Sequence, residues 1–317
     1  MSDTVQEWIE VPFRALKEHE RLRLDEFLAG RLGKKYSRAT VQKLIGDGRV
    51  IRSGRPVKPA SRVSQGETVT IRYPRVDEPP VPHETMPILF QDERIVVISK
   101  PGGTLSHPTD KVLHNTVTHL LSRQLGKKVF LAHRLDRETS GAMVLALDAD
   151  AARGLYEQFA SRRVHKEYLA VVFGDVAWSR TVVDAPLGDH GGAIRVRRAV
   201  GGAHGQNAVT ELRRLAGDGR LSLVAAVPRT GRLHQIRAHL AHIGHPVIGD
   251  KLYCGAGEVY MKAVRKEVRR EDLEALGAAR QLLHSWRLTF DHPGDGRVLN
   301  FTAPVPADFL LRPTEDS

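Results

Sequence analysis

The chain has 317 residues, enough for about two domains. With 28 Gly, 17 Pro and one cysteine, Cys254, it is neither a collagen-like repeat nor a disulfide scaffold. Its 41% hydrophobic residues can bury a core of ordinary size, which excludes a disordered chain. Lys plus Arg number 48 against 37 Asp plus Glu, a formal net charge of +11. No stretch approaches the roughly 18 consecutive apolar residues of a membrane span. The polar, acidic start Met1–Glu7 lacks the basic and apolar regions of a signal peptide, so the expectation is a cytoplasmic protein. The lone thiol suits a reducing compartment.

Residues 1–18 read as an irregular leader with a short apolar alternation, Trp8-Ile9-Glu10-Val11. Residues 19–75 form a small basic module. They hold 14 of the Lys and Arg residues and 5 of the acids, a net of +9, while the other 260 residues share +2. Leu22, Leu24, Phe27, Leu28 and Leu32 recur at helical spacing, with Gly33 as the stop. Ser37 caps a second helix with Val41, Leu44 and Ile45 on one face, ended by Gly46 and Gly48. Val50-Ile51 and Val69-Thr70-Ile71 read as short strands separated by turn residues. A basic module of this kind attracts phosphate backbones through counterion release. Arg38, Lys43, Arg49, Arg52, Arg55 and Lys58 are the candidate RNA contacts within it.

Five prolines between residues 74 and 87 mark 76–87 as a linker. A second domain spans 88–313. Its strand candidates are 95–99, 142–147, 167–174, 208–214, 221–227 and 287–291, and its helix candidates are 115–125, 150–162, 232–243 and 271–279. The order lacks clean βαβ alternation and contains hairpin-like pairs. That predicts an α+β fold with a largely antiparallel sheet. The Gly-rich segment 191–205, with Arg195, Arg197 and Arg198, reads as a basic loop or hairpin tip.

Four constellations in this domain could carry chemistry. Lys100-Pro101-Gly102-Gly103 follows an apolar strand and by itself is a strand-end turn. His133-Arg134-Leu135-Asp136-Arg137-Glu138-Thr139-Ser140-Gly141 packs charge into a loop ahead of a buried strand. Asp136, between Arg134 and Arg137, should stay ionised, and it suits either a nucleophile or base or a loop-fastening ion pair. Val164-His165-Lys166-Glu167-Tyr168 opens a strand, where Tyr168 fits a core aromatic or an active-site group. The stretch from Thr230-Gly231-Arg232-Leu233-His234-Gln235-Ile236-Arg237 on to Gly249-Asp250 carries a helix over 232–243, with His residues at 234, 239, 242 and 245. Their spacing matches no zinc pattern and no other cysteine is present, so no metal site is expected. Walker A, dinucleotide-binding and Gly-x-Ser-x-Gly signatures are absent from the sequence.

The four constellations, in this order, resemble the motifs of the RluA-type pseudouridine synthases. Leu283-His284 and Phe301-Thr302-Ala303-Pro304 resemble the family's ending. Tyr253 is followed by Cys254 where the family usually has glycine. The basic module resembles the α-L RNA-binding motif that many large-subunit rRNA members carry. The resemblance implies a mixed-sheet catalytic domain that isomerises uridine to pseudouridine in RNA, most simply rRNA or a pre-ribosomal particle. It implies a monomer needing no metal or other cofactor. It makes Asp136, Tyr168 and Arg237 the catalytic candidates, with Arg237 paired to Asp136. Lys100, His133, Arg134, Arg137 and Arg232 become candidates for RNA binding. The alternatives are a tRNA-modifying synthase and a non-catalytic ribosome-assembly factor.

Overall fold

The computed structural model describes residues 8–32, 36–74, 78, 80, 81, 83–109, 112–309 and 311. Lys34, Lys35 and Arg75, several linker residues including Pro79 and Pro82, and Met1–Glu7 lie outside the described residues. The chain divides into two compact units, residues 1–77 and 78–317.

In the first unit, strand β1 (Trp8–Arg14) precedes helices α1 (Leu24–Leu32) and α2 (Arg38–Gly46). Strands β2 (Val50–Arg52), β3 (Arg55–Pro56) and β4 (Thr68–Pro74) follow. The side chain of Ser37 accepts the Thr40 amide and caps α2, as its residue type predicts. The leader is not irregular throughout. Trp8–Arg14 pairs antiparallel with Thr68–Pro74 over seven residues, in a sheet of order β1-β4-β2-β3. The alternation from Trp8 to Val11 therefore belongs to an edge strand, whose partner lies about 60 residues on. Phe27, Leu28, Val41, Ile45, Val69 and Ile71 form the core. Buried Asp25 ties the two helices together: it accepts from Arg23, from Arg38 Nε at 3.1 Å and from Gln42 Nε2 at 2.7 Å.

The second unit runs β5 (Ile88–Gln91), β6 (Ile95–Lys100), α3 (Val117–Leu125), β7 (Phe130–Leu131), β8 (Ser140–Ala146), α4 (Ala149–Ala160) and β9 (His165–Phe173). It continues with β10 (Arg180–Asp184), β11 (Leu187–Asp189), β12 (Arg198–Val200), β13 (Ala203–Gln206), β14 (Val209–Gly217) and β15 (Leu221–Pro228). It ends with α5 (Gln235–His242), α6 (Glu258–Arg265), α7 (Arg270–Leu276), β16 (Leu283–Asp291) and β17 (Val298–Thr302). Ten strands form one sheet whose main path is β10-β14-β15-β9-β16-β8-β6-β5. Only the β16–β8 pair is parallel. This is the α+β, largely antiparallel fold that the sequence predicts.

Strand β6 shows why the apolar runs are continuous rather than alternating. Ile95 and Val97 pack with Ala151 and Leu155 of α4, while Val96 and Ile98 pack with Val117, Leu120 and Leu121 of α3. Both faces of the central strands are covered, so successive side chains are all buried. Residues 190–197 are the loop of a β11–β12 hairpin, and β13 pairs with the other edge of β11.

Two glycines set the backbone around the site. Gly141 opens β8 with φ +110°, and a β-carbon there would lie 2.2 Å from the Ser285 carbonyl oxygen. Gly249, at φ +77°, would place one 1.8 Å from the Arg280 carbonyl oxygen. Gly141→Ala is expected to cost roughly 3 kcal/mol or more. Gly30→Ala, in open space on α1, should be neutral or stabilising by up to about 1 kcal/mol. Urea unfolding of the two variants checks the contrast.

Candidate active site

Asp136 sits on the loop between β7 and β8, and that loop is strapped from two sides. On one side, Ser106 Oγ donates to the Leu135 carbonyl at 2.8 Å and Gly103 N to that of Arg137 at 2.8 Å. Lys100 lies below them, 1% exposed. Its ammonium donates to the carbonyls of Pro101, Thr104 and Arg137 at 2.9, 2.7 and 3.0 Å. On the other side, Gln281 Nε2 donates to Thr139 Oγ1 at 2.7 Å and Lys251 Nζ to Glu138 Oε1 at 2.7 Å. Within the loop, His133 Nε2 accepts the Val144 amide at 3.1 Å, and its ring stacks on Phe159.

These contacts bear on two RNA-binding candidates. Lys100 is buried with its amine donating to three loop carbonyls, out of reach of RNA, and burial lowers its pKa to about 7. His133 lines the cleft, but burial and then Lys166 push its pKa down to about 3, so its ring is neutral there.

Arg237 reaches Asp136 from α5. Its Nη1 donates to Asp136 Oδ2 at 2.7 Å. The same guanidinium grips Asp250, with Nε to Oδ2 at 2.6 Å and Nη2 to Oδ1 at 2.8 Å. Asp250 is fully buried and also accepts the Leu252 and Tyr253 amides. The helix start is pinned by Gln235, which accepts from Thr230 Oγ1 at 2.6 Å and donates to the Val209 carbonyl at 2.9 Å. Burial alone would raise the pKa of Asp136. The charge of Arg237, joined by that of His234 only once acid protonates it, and the hydrogen bond from Arg237 outweigh it and hold the carboxyl below its ordinary value. Burial opposes the charge on Arg237, but Asp250 and Asp136 drive its pKa up, so the guanidinium stays charged.

Tyr168, on β9, faces the same space beside its sheet partner Ser285. Burial raises its phenol to about 12 despite a hydrogen bond with the Ser285 side chain, so it remains protonated at neutral pH. Asp136, Tyr168 and Arg237 line one cleft of about 720 Å³. Seven Lys and Arg side chains line it, against the single acid Asp136. Among the described residues, Arg134 and Arg162 form no ion pair; Arg232 Nε donates to the Asn207 carbonyl at 3.0 Å. Arg137 turns its Nε to the Gly103 carbonyl and is not part of the lining. Such a cleft suits a polyanion brought to one ionised carboxylate.

Sequence reasoning missed Asp250 as the second partner of Arg237, 13 residues further on. It missed His234, whose Nε2 lies 3.9 Å from Asp136 Oδ2. It also missed Phe159 and Lys166 as cleft residues. His234, Lys166 and Asp250 lie within constellations the sequence singles out, but nothing in the spacing marks their partners; Phe159 carries no such signal. The other histidines do not converge: His239 bonds Thr210 and the Ala185 carbonyl, and His245 bonds the Phe173 carbonyl. Among the described residues no group of three or more His, Cys, Asp or Glu is placed to hold a metal.

In the first unit, Arg38 and Arg52 are drawn into ion pairs with Asp25, Glu26 and Glu67. Lys43, Arg55 and Lys58 are exposed and Arg49 partly so.

The family model for RNA pseudouridylate synthase matches residues 94–242, and the S4 domain model matches 22–69. The chain is 33% identical to ribosomal large subunit pseudouridine synthase D of Pseudomonas aeruginosa, over 98% of this chain and 95% of that protein. It is 34% identical to the same-named protein of Xanthomonas campestris, over 90% of this chain and 86% of that one. The chain belongs to the RluA-type RNA pseudouridine synthase family. A solved structure, human RNA pseudouridylate synthase domain containing 1, covers 72% of this chain and 86% of its own at a TM-score of 0.56 and 26% identity. The family's reaction is isomerisation of uridine to pseudouridine within RNA, and the S4 domain is an RNA-binding unit. No helix among the described residues is long and apolar enough to cross a membrane.

Removing the central cation leaves Asp250 buried without its partner. Arg237→Met is expected to destabilise the synthase by roughly 3–5 kcal/mol, read from chemical unfolding.

Burial lowers the pKa of His133 to about 3, and of His234 and His284 to about 4. Between those values and the ordinary 6.5, the unfolded chain binds protons that the folded chain refuses. The stability these groups contribute is complete above about pH 6.5 and is lost as pH falls toward 4. The urea midpoint should drop from pH 7 to pH 4.5, and drop less in His133→Gln, which keeps an acceptor for the Val144 amide.

Proposed function

We propose that this synthase modifies large-subunit ribosomal RNA, free or within a pre-ribosomal particle, and that Asp136 acts on the ribose of the target uridine. The observation that carries the reading is the Asp136 carboxylate, held ionised by Arg237 in a basic cleft. The named large-subunit relatives, which share both units with this chain, favour rRNA over tRNA.

The target base must leave its stack to enter the cleft. The bond from C1′ to N1 then breaks, one from C1′ to C5 forms, the C5 proton is lost to solvent and N1 takes a proton up. A carboxylate can drive this by attacking C1′ or by taking the 2′ proton. Both routes begin with an ionised Asp136, which is what the Arg237 contact secures. Tyr168, kept as a phenol, offers its ring to the flipped base rather than a phenolate. The reaction imports no atoms or electrons, so the reading is of a cytoplasmic monomer that needs no metal or redox cofactor. Arg134, Arg162 and Arg232 meet backbone phosphates at the mouth, and Lys43, Arg49, Arg55 and Lys58 do so from the S4 unit.

Pseudouridine mapping of RNA from cells lacking the gene checks the substrate. Large-subunit rRNA should lose one or more pseudouridines, restored by the wild-type gene and not by Asp136→Asn. Unchanged large-subunit rRNA with loss from tRNA would contradict the reading. Neutralising Lys43, Arg49, Arg55 and Lys58 together should weaken RNA binding. The slope of log K against log salt should flatten by about 0.7–0.9 for each phosphate that is no longer neutralised.

A further inference from the structure

The imidazole of His234 has a geometry that neither a capping role nor an ion pair explains. His234 precedes α5 in the left-handed region, at φ 57° and ψ 18°, where a side chain other than glycine is disfavoured. It makes no side-chain cap for that helix. Its ring instead turns toward the cleft. On one side, Nδ1 lies 3.3 Å from the hydroxyl of Tyr253. On the other, Nε2 lies 3.9 Å from Asp136 Oδ2, too far for a hydrogen bond.

The tautomer follows from the donors. The Tyr253 hydroxyl accepts the Arg198 backbone N–H at 3.0 Å. A backbone amide only donates, so the phenol's own proton is free to go to its nearest acceptor, His234 Nδ1. Burial keeps the phenol protonated, with its pKa raised to about 12. It also keeps the imidazole neutral, first by desolvation and then by the charge of Arg237, with a pKa of about 4. With Nδ1 accepting, the ring proton sits on Nε2 and faces the space beside Asp136. Nε2 has no hydrogen-bond acceptor among the described residues.

We propose that His234 is a further catalytic residue: its neutral Nε2–H donates a hydrogen bond to a carbonyl oxygen of the flipped uracil as the glycosidic bond breaks. The inference rests on the reading of Asp136 given above. When the C1′–N1 bond breaks, its electron pair stays on the base and charge spreads from N1 to the adjacent O2. Asp136 either supplies the pair for a new bond to C1′ or accepts the 2′ proton. In both cases His234 keeps its own proton, so the step needs no further acid and no co-reactant. A donor beside Asp136 is close to the bond on which Asp136 acts. Being neutral, the imidazole stabilises the developing anion without also neutralising the Asp136 carboxylate, as a preorganised donor should. Tyr253 is its positioning residue, holding the tautomer through Nδ1.

Single-turnover tritium release from large-subunit rRNA carrying [5-³H]uridine tests this, with wild type and Asp136→Asn as references. His234→Ala and Tyr253→Phe are expected to slow release, the first by about 10²-fold, with rRNA affinity within threefold of wild type. Tyr253→Phe keeps the ring that packs on Arg237 and removes only the hydroxyl. His234→Gln should recover part of the rate, because its amide N–H reproduces the Nε2 donor. In ¹⁵N-histidine-labelled protein at pH 7, His234 should show the Nε2–H tautomer, lost or mixed in Tyr253→Phe. Rates within twofold of wild type for both His234→Ala and Tyr253→Phe, or an Nδ1–H tautomer in the wild type, would overturn the proposal. An active Asp136→Asn, or a wild type inactive on both free rRNA and pre-ribosomal particles, would overturn the Asp136 reading and this inference with it.

Discussion

One guanidinium between two carboxylates organises the catalytic unit. A buried charge is tolerated only when paired and fully hydrogen-bonded. Arg237 meets that condition through Asp250, which is wholly buried and held by two backbone amides as well as the arginine. Asp250 thus fixes where Arg237 can be, and Arg237 fixes where Asp136 can be. Two carboxylates against one guanidinium leave this cluster with a net negative charge, and only the Asp136 end of it faces the cleft. The tight turn at Gly249, against the Arg280 carbonyl, sets the approach of Asp250. The straps from Lys100, Ser106 and Gln281 set the approach of Asp136.

The strongly basic composition gains a specific meaning from this arrangement. Positive charge around the cleft suits RNA, but the group proposed to react there is an anion. An RNA phosphate placed beside an unsupported aspartate would favour its protonation. The fixed guanidinium cancels that tendency at the carboxylate, while the outer bases deal with the phosphates. Attraction and reactivity are thereby assigned to different side chains of one cleft.

Much of this was legible in the sequence, for identifiable reasons. Helical spacing and a serine cap located the two helices of the first unit, because both signals are local. The loop 133–141 and the stretch 230–237 were legible because their residues are consecutive and their order resembles one family's motifs. The pairing of Arg237 with Asp136 followed from that resemblance rather than from spacing. What stayed hidden depended on distant partners. Strand β1 closes on β4 across the whole module. Asp250 is a single acid 13 residues beyond Arg237, and no pattern marks it as the partner. Lys100 reads as a base available to RNA, and only the carbonyls gathered around it show a buried amine that fastens the loop. His133 reads as polar in the sequence, yet the fold stacks it on Phe159 and keeps it neutral.

The central claim is that Arg237 holds Asp136 ionised in the cleft. Carbon-13 NMR of the aspartate carboxyls, with Asp136 assigned by comparison with Asp136→Asn, measures this directly. The account predicts that the Asp136 signal titrates below the ordinary value of 3.8, and that the midpoint rises in Arg237→Gln. A wild-type midpoint at or above 3.8, or one that does not respond to the loss of Arg237, would contradict it.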